Sequence, residues 1–316
     1  MVVVLTGASS GVGRATALGL ADRGALLVLA ARDEDALSSV VRACEERGVN
    51  AVGIPTDVGD AAAVDALAAR AIERFGRFDT WINNAGVMAY GEFEDIPPEV
   101  FDRVLQTNLH GTVHGCRVAL RHFRERERGV LINVCSLWGR ISSPLVSPYV
   151  TSKFAIRSLS ECIHAELCDE EDIDITTILP SATDSPIFEN AGNFIGRELR
   201  PVWPISSVEY VADGIIACAR NPQREVTYGR LGRLLEVLYA VAPPLYRRTA
   251  PGMFMGGTLK PTSTPKSPGN VMAPAGEHKT HGGWRSERRG ELARAFLGAA
   301  RGGTLGLLGK GERVKP

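Results

Sequence analysis

The sequence between the first apolar run and the first helical pattern reads Thr6-Gly7-Ala8-Ser9-Ser10-Gly11-Val12-Gly13. The run Val2–Leu5 before it is typical of a buried strand, and the pattern over residues 11–23 is typical of a helix. Glycines at such a junction let the backbone turn tightly and approach a pyrophosphate, which then lies at the helix N-terminus. The spacing T-G-x-x-x-G-x-G differs from the commoner G-x-G-x-x-G. The stretch therefore predicts a dinucleotide-binding turn at the start of a βαβ unit.

Short apolar runs alternate with longer helical patterns over most of the chain. Strands that are apolar throughout and separated by helices favour a parallel sheet with helices on both faces. We therefore predict an α/β fold, a Rossmann-type doubly wound sheet of seven parallel strands. The predicted strands are Val2–Leu5, Leu26–Ala31, Ala51–Ile54, Thr80–Ile82, Val130–Val134, Ile175–Leu179 and Val226–Tyr228. The predicted helices lie near 11–23, 34–48, 60–75, 97–126, 149–169 and 206–220.

Composition limits the class of protein. The 316 residues include 36 Lys+Arg and 36 Asp+Glu, so no net charge attracts nucleic acid, and we expect no nucleic-acid partner. The six cysteines form no C-x-x-C pair, which argues against a zinc or disulfide framework and for a reducing compartment. No apolar run approaches the ~20 residues of a membrane span, and Met1 leads directly into the first strand without room for a signal peptide. We expect a cytoplasmic protein without a metal site.

Two strand ends bear on nucleotide recognition. The second strand ends Ala31-Arg32, where an acidic residue usually holds the ribose 2′-hydroxyl of NAD. A guanidinium suits a 2′-phosphate instead, so Arg32 favours NADP; the alternative is an ordinary surface arginine. The third strand is followed by Asp57-Val58, where the carboxylate is a candidate acceptor for the adenine amino group.

The pattern Y-x-x-x-K at Tyr149 and Lys153 follows Ser136, which ends the fifth strand, by thirteen residues. Residues four apart on a helix are neighbours, roughly 5–6 Å apart between Cβ atoms. An ammonium at that range lowers the pKa of a phenol from about 10 toward neutrality, which makes it a usable general acid and base. The pair alone is a weak signal, because many solvated helix faces carry one by chance. The carboxyl edge of an open sheet, however, would bring Ser136, Tyr149 and Lys153 to the crevice of the glycine turn.

Together these motifs resemble the short-chain dehydrogenase/reductase family, of the shorter subtype with a Y-x-x-x-K motif. The resemblance covers residues 1–232 and rests on the turn at 6–13, Asp57, Asn83-Asn84-Ala85-Gly86, Asn108, Ser136, Tyr149 and Lys153. Each motif is weak by itself, whereas the ordered set with these spacings is specific.

The resemblance implies roles for these residues. Tyr149 would exchange a proton with the substrate oxygen, Ser136 would hydrogen-bond that oxygen, and Lys153 would bind the nicotinamide ribose and lower the pKa of Tyr149. Asn108 would hold a water molecule that links Lys153 to solvent. Arg32 matches the NADP-preferring members, so NADP(H) is the expected cofactor. The implied cofactor-binding residues are Thr6, Gly7, Ser9, Ser10, Gly11, Val12, Gly13, Arg32, Asp57, Val58, Asn83, Ala85, Gly86, Tyr149, Lys153, Pro180, Thr183 and Ser185.

One stretch departs from the family pattern. Members usually have Pro-Gly-x-Val-x-Thr after the sixth strand, where this chain has Pro180-Ser181-Ala182-Thr183-Asp184-Ser185. Ser185 keeps a hydroxyl for the cofactor, whereas Ser181 replaces a glycine. Residues 186–204, together with Leu137, Trp138, Leu145 and Val146, suggest an apolar substrate pocket, although ordinary lid packing explains them equally well. The expected substrate is a hydrophobic ketone, aldehyde or secondary alcohol.

The chain continues beyond the family's usual end. We divide it into a catalytic domain over 1–232, a short apolar helical extension over 233–255, and a Gly/Pro-rich linker and basic tail over 256–316, expected to be poorly ordered. The extension would pack on the domain, pair with another subunit or touch a membrane interface. The tail from Arg285 carries eight Lys/Arg against three Glu, and its Leu292–Leu297 stretch suggests an amphipathic helix in weak peripheral contact with a membrane.

The resemblance also implies a homodimer or homotetramer, formed through the helices near 97–126 and 149–169. Two functions from different classes remain. The first is an NADP(H)-dependent oxidoreductase that interconverts a hydrophobic carbonyl and its alcohol, and the second is a nucleotide-binding regulatory or scaffold protein without turnover. Fold alone does not separate them, but the Ser136, Tyr149 and Lys153 set with Asn108 favours the enzyme.

Overall fold

Seven parallel strands form the central sheet of the computed structural model, which describes residues 1–274 and 278–286. The strands of the chain are β1 (Val2–Thr6), β2 (Leu26–Ala31), β3 (Ala51–Pro55), β4 (Thr80–Asn83), β5 (Ala89–Tyr90), β6 (Gly129–Val134), β7 (Ile173–Pro180), β8 (Gly192–Asn193), β9 (Arg197–Leu199), β10 (Glu225–Tyr228) and β11 (Leu259–Ser263). The helices are α1 (Gly11–Ala21), α2 (Glu34–Glu45), α3 (Ala61–Phe75), α4 (Pro98–Leu105), α5 (Gly111–Arg126), α6 (Ser147–Glu166), α7 (Val208–Arg220), α8 (Arg230–Val241) and α9 (Pro243–Thr258).

The order of strands in this sheet places the ligand-binding crevice. The sheet runs β3-β2-β1-β4-β6-β7-β10, and every neighbouring pair is parallel. Successive strands are added on one side of β1 up to β3 and then on its other side from β4 onward. Such a reversal opens a crevice at the carboxyl ends of β1 and β4. The predicted doubly wound α/β fold is confirmed.

Alternate residues of β1 pack into two separate apolar layers, which explains why the strand is apolar throughout. Val3 and Leu5 belong to the layer with Ala17 of α1 and Ile215 of α7. Val2 and Val4 belong to the opposite layer, which includes residues of α3 and α5. All five residues of β1 are buried, as expected for a strand covered by helices on both faces.

The helix predicted over 97–126 is interrupted in the structure. A π-helical turn over Gln106–His110 separates α4 from α5. Within it the Asn108 amide forms hydrogen bonds with both backbone groups of Val87, accepting from N–H at 2.8 Å and donating to C=O at 2.9 Å. A single π-helical turn inside a helix is often found at a functional site, and here it brings a buried amide against the irregular segment that follows β4.

Residues 256–274 form more regular structure than their composition predicts. Helix α9 continues to Thr258, and β11 pairs in antiparallel fashion with β9, with Leu259 opposite Leu199. The guanidinium of Arg200 donates to Gly257 O at 2.8 Å, so contacts distant in sequence override the Gly- and Pro-rich composition. The predicted Leu292–Leu297 helix and most of the basic tail lie outside the described residues. Among the helices of residues 1–274 and 278–286, none has the length and apolarity to cross a membrane.

Candidate active site

A cavity of about 260 Å³ lies at the carboxyl edge of the sheet and gathers most of the predicted site residues. Among its lining residues are Gly7, Ser9, Ser10, Gly11, Val12, Gly13, Arg32, Val58, Ala85, Gly86, Ser136, Tyr149, Lys153, Pro180, Thr183 and Ser185. The predicted residues Thr6, Asp57, Asn83 and Asn108 are absent from this lining and support it from behind. The residues expected to hold a dinucleotide and those expected to carry chemistry therefore meet in one space.

The glycine turn is closed by contacts that leave no room for side chains. A Cβ placed on Gly13 would lie 2.0 Å from Gly7 O, and Gly7 itself has φ +66°. The amide of Asn84, a residue of the Asn83–Gly86 motif that was not among the expected cofactor-binding residues, donates to Thr6 O at 3.0 Å and to Gly7 O at 3.1 Å. The Thr6 hydroxyl accepts from Asn84 N at 3.0 Å. These bonds tie the end of β1 to the end of β4, so Thr6 and Asn84 shape the turn.

Asn83 does not lie in the cavity, contrary to the expectation that it binds cofactor. Its side chain is buried, accepts from Trp81 Nε1 at 2.8 Å and donates to Asn133 Oδ1 at 2.9 Å. Asn133 in turn donates to Ser160 Oγ at 2.9 Å. The side chains alternate along β4, so Asn83 points into the layer beneath the sheet edge while Asn84 reaches the turn. The Asn83 side chain thus links β4 to β6 and, through Asn133, to α6.

Asp57 is paired with an arginine that sequence analysis did not identify. Its carboxylate forms a salt bridge with Arg103 of α4 and accepts from Gly59 N at 3.0 Å. Burial opposes ionisation, but the hydrogen bonds from Arg103 and Gly59 prevail and lower the pKa of Asp57. The structure thus places Val58, and not the Asp57 carboxylate, at the cavity wall.

Ser136, Tyr149 and Lys153 converge where β6 ends and α6 begins. The Lys153 ammonium donates to Val134 O at 2.9 Å and lies 5.3 Å from the centroid of the Tyr149 ring. The Ser136 hydroxyl accepts from Trp138 N at 3.2 Å and also forms a hydrogen bond with the Tyr149 phenol. A phenol, a hydroxyl and an ammonium therefore face one cavity, a set of groups suited to proton transfer with a substrate oxygen.

The protonation of Tyr149 differs from the sequence-based expectation. Burial raises the pKa of Tyr149 above its ordinary value, and the hydrogen bond with Ser136 opposes this shift only in part. Burial also lowers the pKa of Lys153, which is 3% exposed. The physical reason is that both groups lie in the apolar interior, where each charged form is disfavoured. The phenol of Tyr149 is therefore neutral in this structure.

Asn108 supports the site without entering the cavity lining. Besides its two bonds to Val87, its amide donates to Ser152 Oγ at 3.0 Å, and Ser152 donates to Tyr149 O at 2.7 Å. An ideal Cβ on Gly86 would lie 3.5 Å from Asn108 Oδ1 and 3.9 Å from Lys153 Nζ, so both groups border the same stretch of backbone. The amide joins the π-helical turn to the helix that carries Tyr149.

The family model for short chain dehydrogenases matches residues 1–195. The chain belongs to the short-chain dehydrogenase/reductase family. Members are oxidoreductases that act on CH–OH or C=O groups with NAD or NADP, and this chain is such an enzyme.

Two relatives align with more than three quarters of this short-chain dehydrogenase. It is 38% identical over 252 residues to an uncharacterized oxidoreductase of Bacillus subtilis, covering 78% of this chain and 70% of the relative. It is 32% identical over 271 residues to a fatty acyl-CoA reductase of Acinetobacter baylyi, covering 83% of this chain and 86% of the relative.

Solved structures share the fold. A short-chain dehydrogenase/reductase from Burkholderia phymatum in complex with NAD superposes with a TM-score of 0.70 at 27% identity, covering 77% of this chain and 94% of that one. An alcohol dehydrogenase from Thermococcus sibiricus complexed with 5-hydroxy-NADP superposes with a TM-score of 0.63 at 26% identity, covering 72% of this chain and 95% of that one. The two neighbours hold different dinucleotides, so the likeness does not decide between NAD and NADP.

At Ser181 this short-chain dehydrogenase departs from the family pattern, which has a glycine there. A glycine at the end of the neighbouring strand leaves room for the serine side chain. A Cβ on Gly229 would lie 1.8 Å from Ser181 Oγ, and Gly229 has φ +118°, where side chains are strained. Ser181 N also donates to Tyr228 O at 2.8 Å. The side chain that replaces the family's glycine thus occupies space left by another glycine.

The far end of the cavity is apolar and includes residues of the C-terminal extension. Trp138 packs edge-on against Tyr149, with ring centroids 5.9 Å apart, and against Phe254 of α9, at 6.3 Å. Leu137, Phe188, Val202 and Leu235 complete this wall. Leu145 and Val146, predicted as pocket residues, instead pack in the cluster beside Tyr149 and are absent from the lining.

We predict that Gly229→Ala destabilises the protein because the new methyl group overlaps Ser181 Oγ and the backbone conformation becomes strained. The free energy of unfolding should fall by roughly 2–4 kcal/mol, measured by chemical denaturation. Ser181→Gly in the same chain should recover the steric part of this loss but not the conformational part. Gly232→Ala is the matched control, since its nearest contacts would be at an ordinary 3.4 Å. Unchanged stability in Gly229→Ala would contradict the account.

Proposed function

We propose that this enzyme is an NADP(H)-dependent reductase of hydrophobic ketones or aldehydes, with Tyr149 as the general acid. The reverse reaction would oxidise the matching alcohol, with Tyr149 as the base. The observation that carries the proposal is the meeting of Tyr149, Ser136 and Lys153 in one cavity with the glycine turn and an apolar wall.

The lining residues fit a dinucleotide. The glycine turn places the start of α1 at the cavity, where the helix dipole and the backbone N–H groups other than that of Gly11, which donates to Lys279 O, favour a pyrophosphate. Ser9 and Ser10 add hydroxyls, and Arg32 adds a cation at the end of β2. A nicotinamide dinucleotide bound there supplies or accepts the hydride. The neighbour with 5-hydroxy-NADP and the neighbour with NAD support the general class of cofactor.

The proton is supplied by the chain itself. In reduction, the substrate carbonyl oxygen becomes an alkoxide as the carbon gains hydride, and a neutral phenol within hydrogen-bond reach gives it a proton. Burial keeps the pKa of Tyr149 high, so the phenol begins in the protonated form that reduction requires. The Ser136 hydroxyl is placed to donate to the same oxygen. The Lys153 ammonium stabilises the phenolate that forms, because opposite charges attract strongly in a dry site.

The apolar wall supports a hydrophobic substrate. Trp138, Phe188, Leu235 and Phe254 enclose the end of the cavity beyond Tyr149. Such a lining with few polar groups is typical of a site that binds apolar ligands and orients them through one polar contact. The relative named a fatty acyl-CoA reductase supports a substrate with an aliphatic chain. The dimer or tetramer contact through α5 and α6 stays a prediction.

We expect Tyr149→Phe to lower kcat by roughly 10²–10⁴-fold, because the proton donor is removed while the ring remains. NADPH oxidation with a panel of hydrophobic ketones and aldehydes measures this, and NADPH binding should be preserved. Tyr90→Phe is the matched control: Tyr90 is also buried in the same cluster, and its hydroxyl has no hydrogen-bond partner among the described residues. Retained turnover in Tyr149→Phe would falsify the acid assignment.

We also expect NADPH to bind at least about tenfold more tightly than NADH, because Arg32 gives charge-assisted bonds to a 2′-phosphate. Arg32→Asp should reverse this preference, since a carboxylate repels the phosphate and accepts from the free ribose hydroxyl. Arg32→Lys keeps the charge and should keep the direction of the preference. Titration of dinucleotide fluorescence provides the dissociation constants, and equal affinities in the wild type would remove the role of Arg32.

A further inference from the structure

The described residues 268–274 and 278–286, here called the C-terminal strap, cross the nucleotide end of the cavity. Val271 is fully buried among apolar residues of β5, α4 and the segment between them. Trp284 N donates to Asp184 Oδ1 at 2.7 Å. Between these two points, Gly11 N at the start of α1 donates to Lys279 O at 3.1 Å. The strap is therefore held against the glycine turn by contacts on both sides of it.

The strap fixes the arginine that the sequence assigns to the 2′-phosphate. Arg32 Nη1 donates to Val271 O at 3.1 Å, and Nη2 donates to Asn270 O at 2.5 Å. A guanidinium has five N–H groups, so these two bonds orient the group and leave others for a ligand. The position of Arg32 thus depends on residues more than two hundred positions later in the chain.

A second, smaller cavity of about 60 Å³ adjoins the large one and is polar. It shares Ser9, Ser10 and Arg32 with the large cavity and is closed by Asp33 and by His278 of the strap. His278 Nε2 lies 3.0 Å from Asp33 Oδ2, and both side chains are about a quarter exposed, at 28% and 26%. Asp33 Oδ1 accepts from Ala36 N at 2.9 Å as the N-cap of α2.

We propose that the strap completes the adenosine-ribose subsite and that His278, by pairing with Asp33, makes this enzyme prefer NADP(H) over NAD(H). The inference rests on the proposed function and adds a specificity residue to it. His278 acts through Asp33 and is a positioning residue, not a catalytic one.

The preference follows from the charges and the hydrogen-bond acceptors at the end of β2. Arg32 and Asp33 are adjacent and together carry no net charge, which is a poor site for a phosphate dianion. His278 Nε2, 3.0 Å from Asp33 Oδ2, holds the Asp33 carboxylate in a hydrogen bond, so the Arg32 guanidinium is left for the phosphate. The same pairing occupies Asp33 Oδ2, which would otherwise accept from the ribose 2′-hydroxyl of NAD(H), the usual contact of an acidic residue at this strand end. The nearby Asp57 and Arg103 are already paired with each other.

The test is the ratio of NADH to NADPH dissociation constants in the full-length protein, measured by fluorescence titration. For His278→Ala we expect NADPH to bind roughly fivefold more weakly and NADH about twofold more tightly, which lowers the ratio about tenfold. In the Asp33→Asn background, the same substitution should change the ratio by less than about twofold, because the carboxylate beside Arg32 is gone. Asparagine is also a good N-cap, so α2 keeps its cap.

His281→Ala is the matched control. His281, on the same strap, pairs with Glu209 of α7, away from the lining of both cavities, and its loss should leave the ratio unchanged. A His278→Ala ratio equal to that of the wild type would overturn the inference, and so would an equal weakening of both dinucleotides. The NADP(H) preference of the proposed function would still stand in either case, provided that the wild type binds NADPH more tightly. If the wild type binds both equally, that preference fails and the inference fails with it.

Discussion

The active site depends on a lysine ammonium that is buried at the end of β6. Taking an ammonium out of water is costly unless polar groups surround it. Here Lys153 donates to Val134 O, a carbonyl at the last residue of the strand. Carbonyls at the carboxyl edge of a parallel sheet have no further strand residue to bond, so this edge can solvate a cation. The same contact fixes the start of α6 against the sheet and with it the position of Tyr149.

Close approach of helix and strand makes this arrangement possible. A Cβ on Gly139 would lie 2.7 Å from Cys135 Sγ and 2.9 Å from Lys153 O, so a larger residue would push α6 away from β6. On the other side, Asn108 joins the backbone of Val87 to Ser152 of α6. The π-helical turn has a simple physical reason in this setting, because it lets the amide reach both partners at once. Positioning of the phenol is thus shared among β6, α6 and the interrupted helix.

Sequence reasoning found those features that repeat along the chain or stand in a fixed order. The inner strands of the sheet, such as β1 and β2, are apolar on both sides, and their runs could be located because a buried parallel strand has no polar face. Short pairs such as β5 with β8 were missed, since two residues carry no periodicity. Asp57 was expected to accept from the adenine amino group, but it pairs with Arg103, which is 46 residues away and is related to it by no local pattern. The strap is a stronger example, because Arg32 and Val271 are 239 positions apart. Asn83 was expected to bind cofactor because of the family resemblance, whereas the alternation along β4 turns it away from the cavity and lets the next amide, Asn84, reach the turn.

The central claim is that Tyr149 and a bound dinucleotide act on one substrate oxygen and carbon in a shared cavity. A crystal structure of the complex with NADP and a hydrophobic alcohol tests it most directly. The account predicts that the alcohol oxygen lies within hydrogen-bond distance, about 2.5–3.0 Å, of both the Tyr149 and the Ser136 hydroxyls. It also predicts that the carbon bearing that oxygen contacts the nicotinamide ring. A phenol turned away from the alcohol, or a nicotinamide separated from it by more than the width of a substrate, would contradict the account.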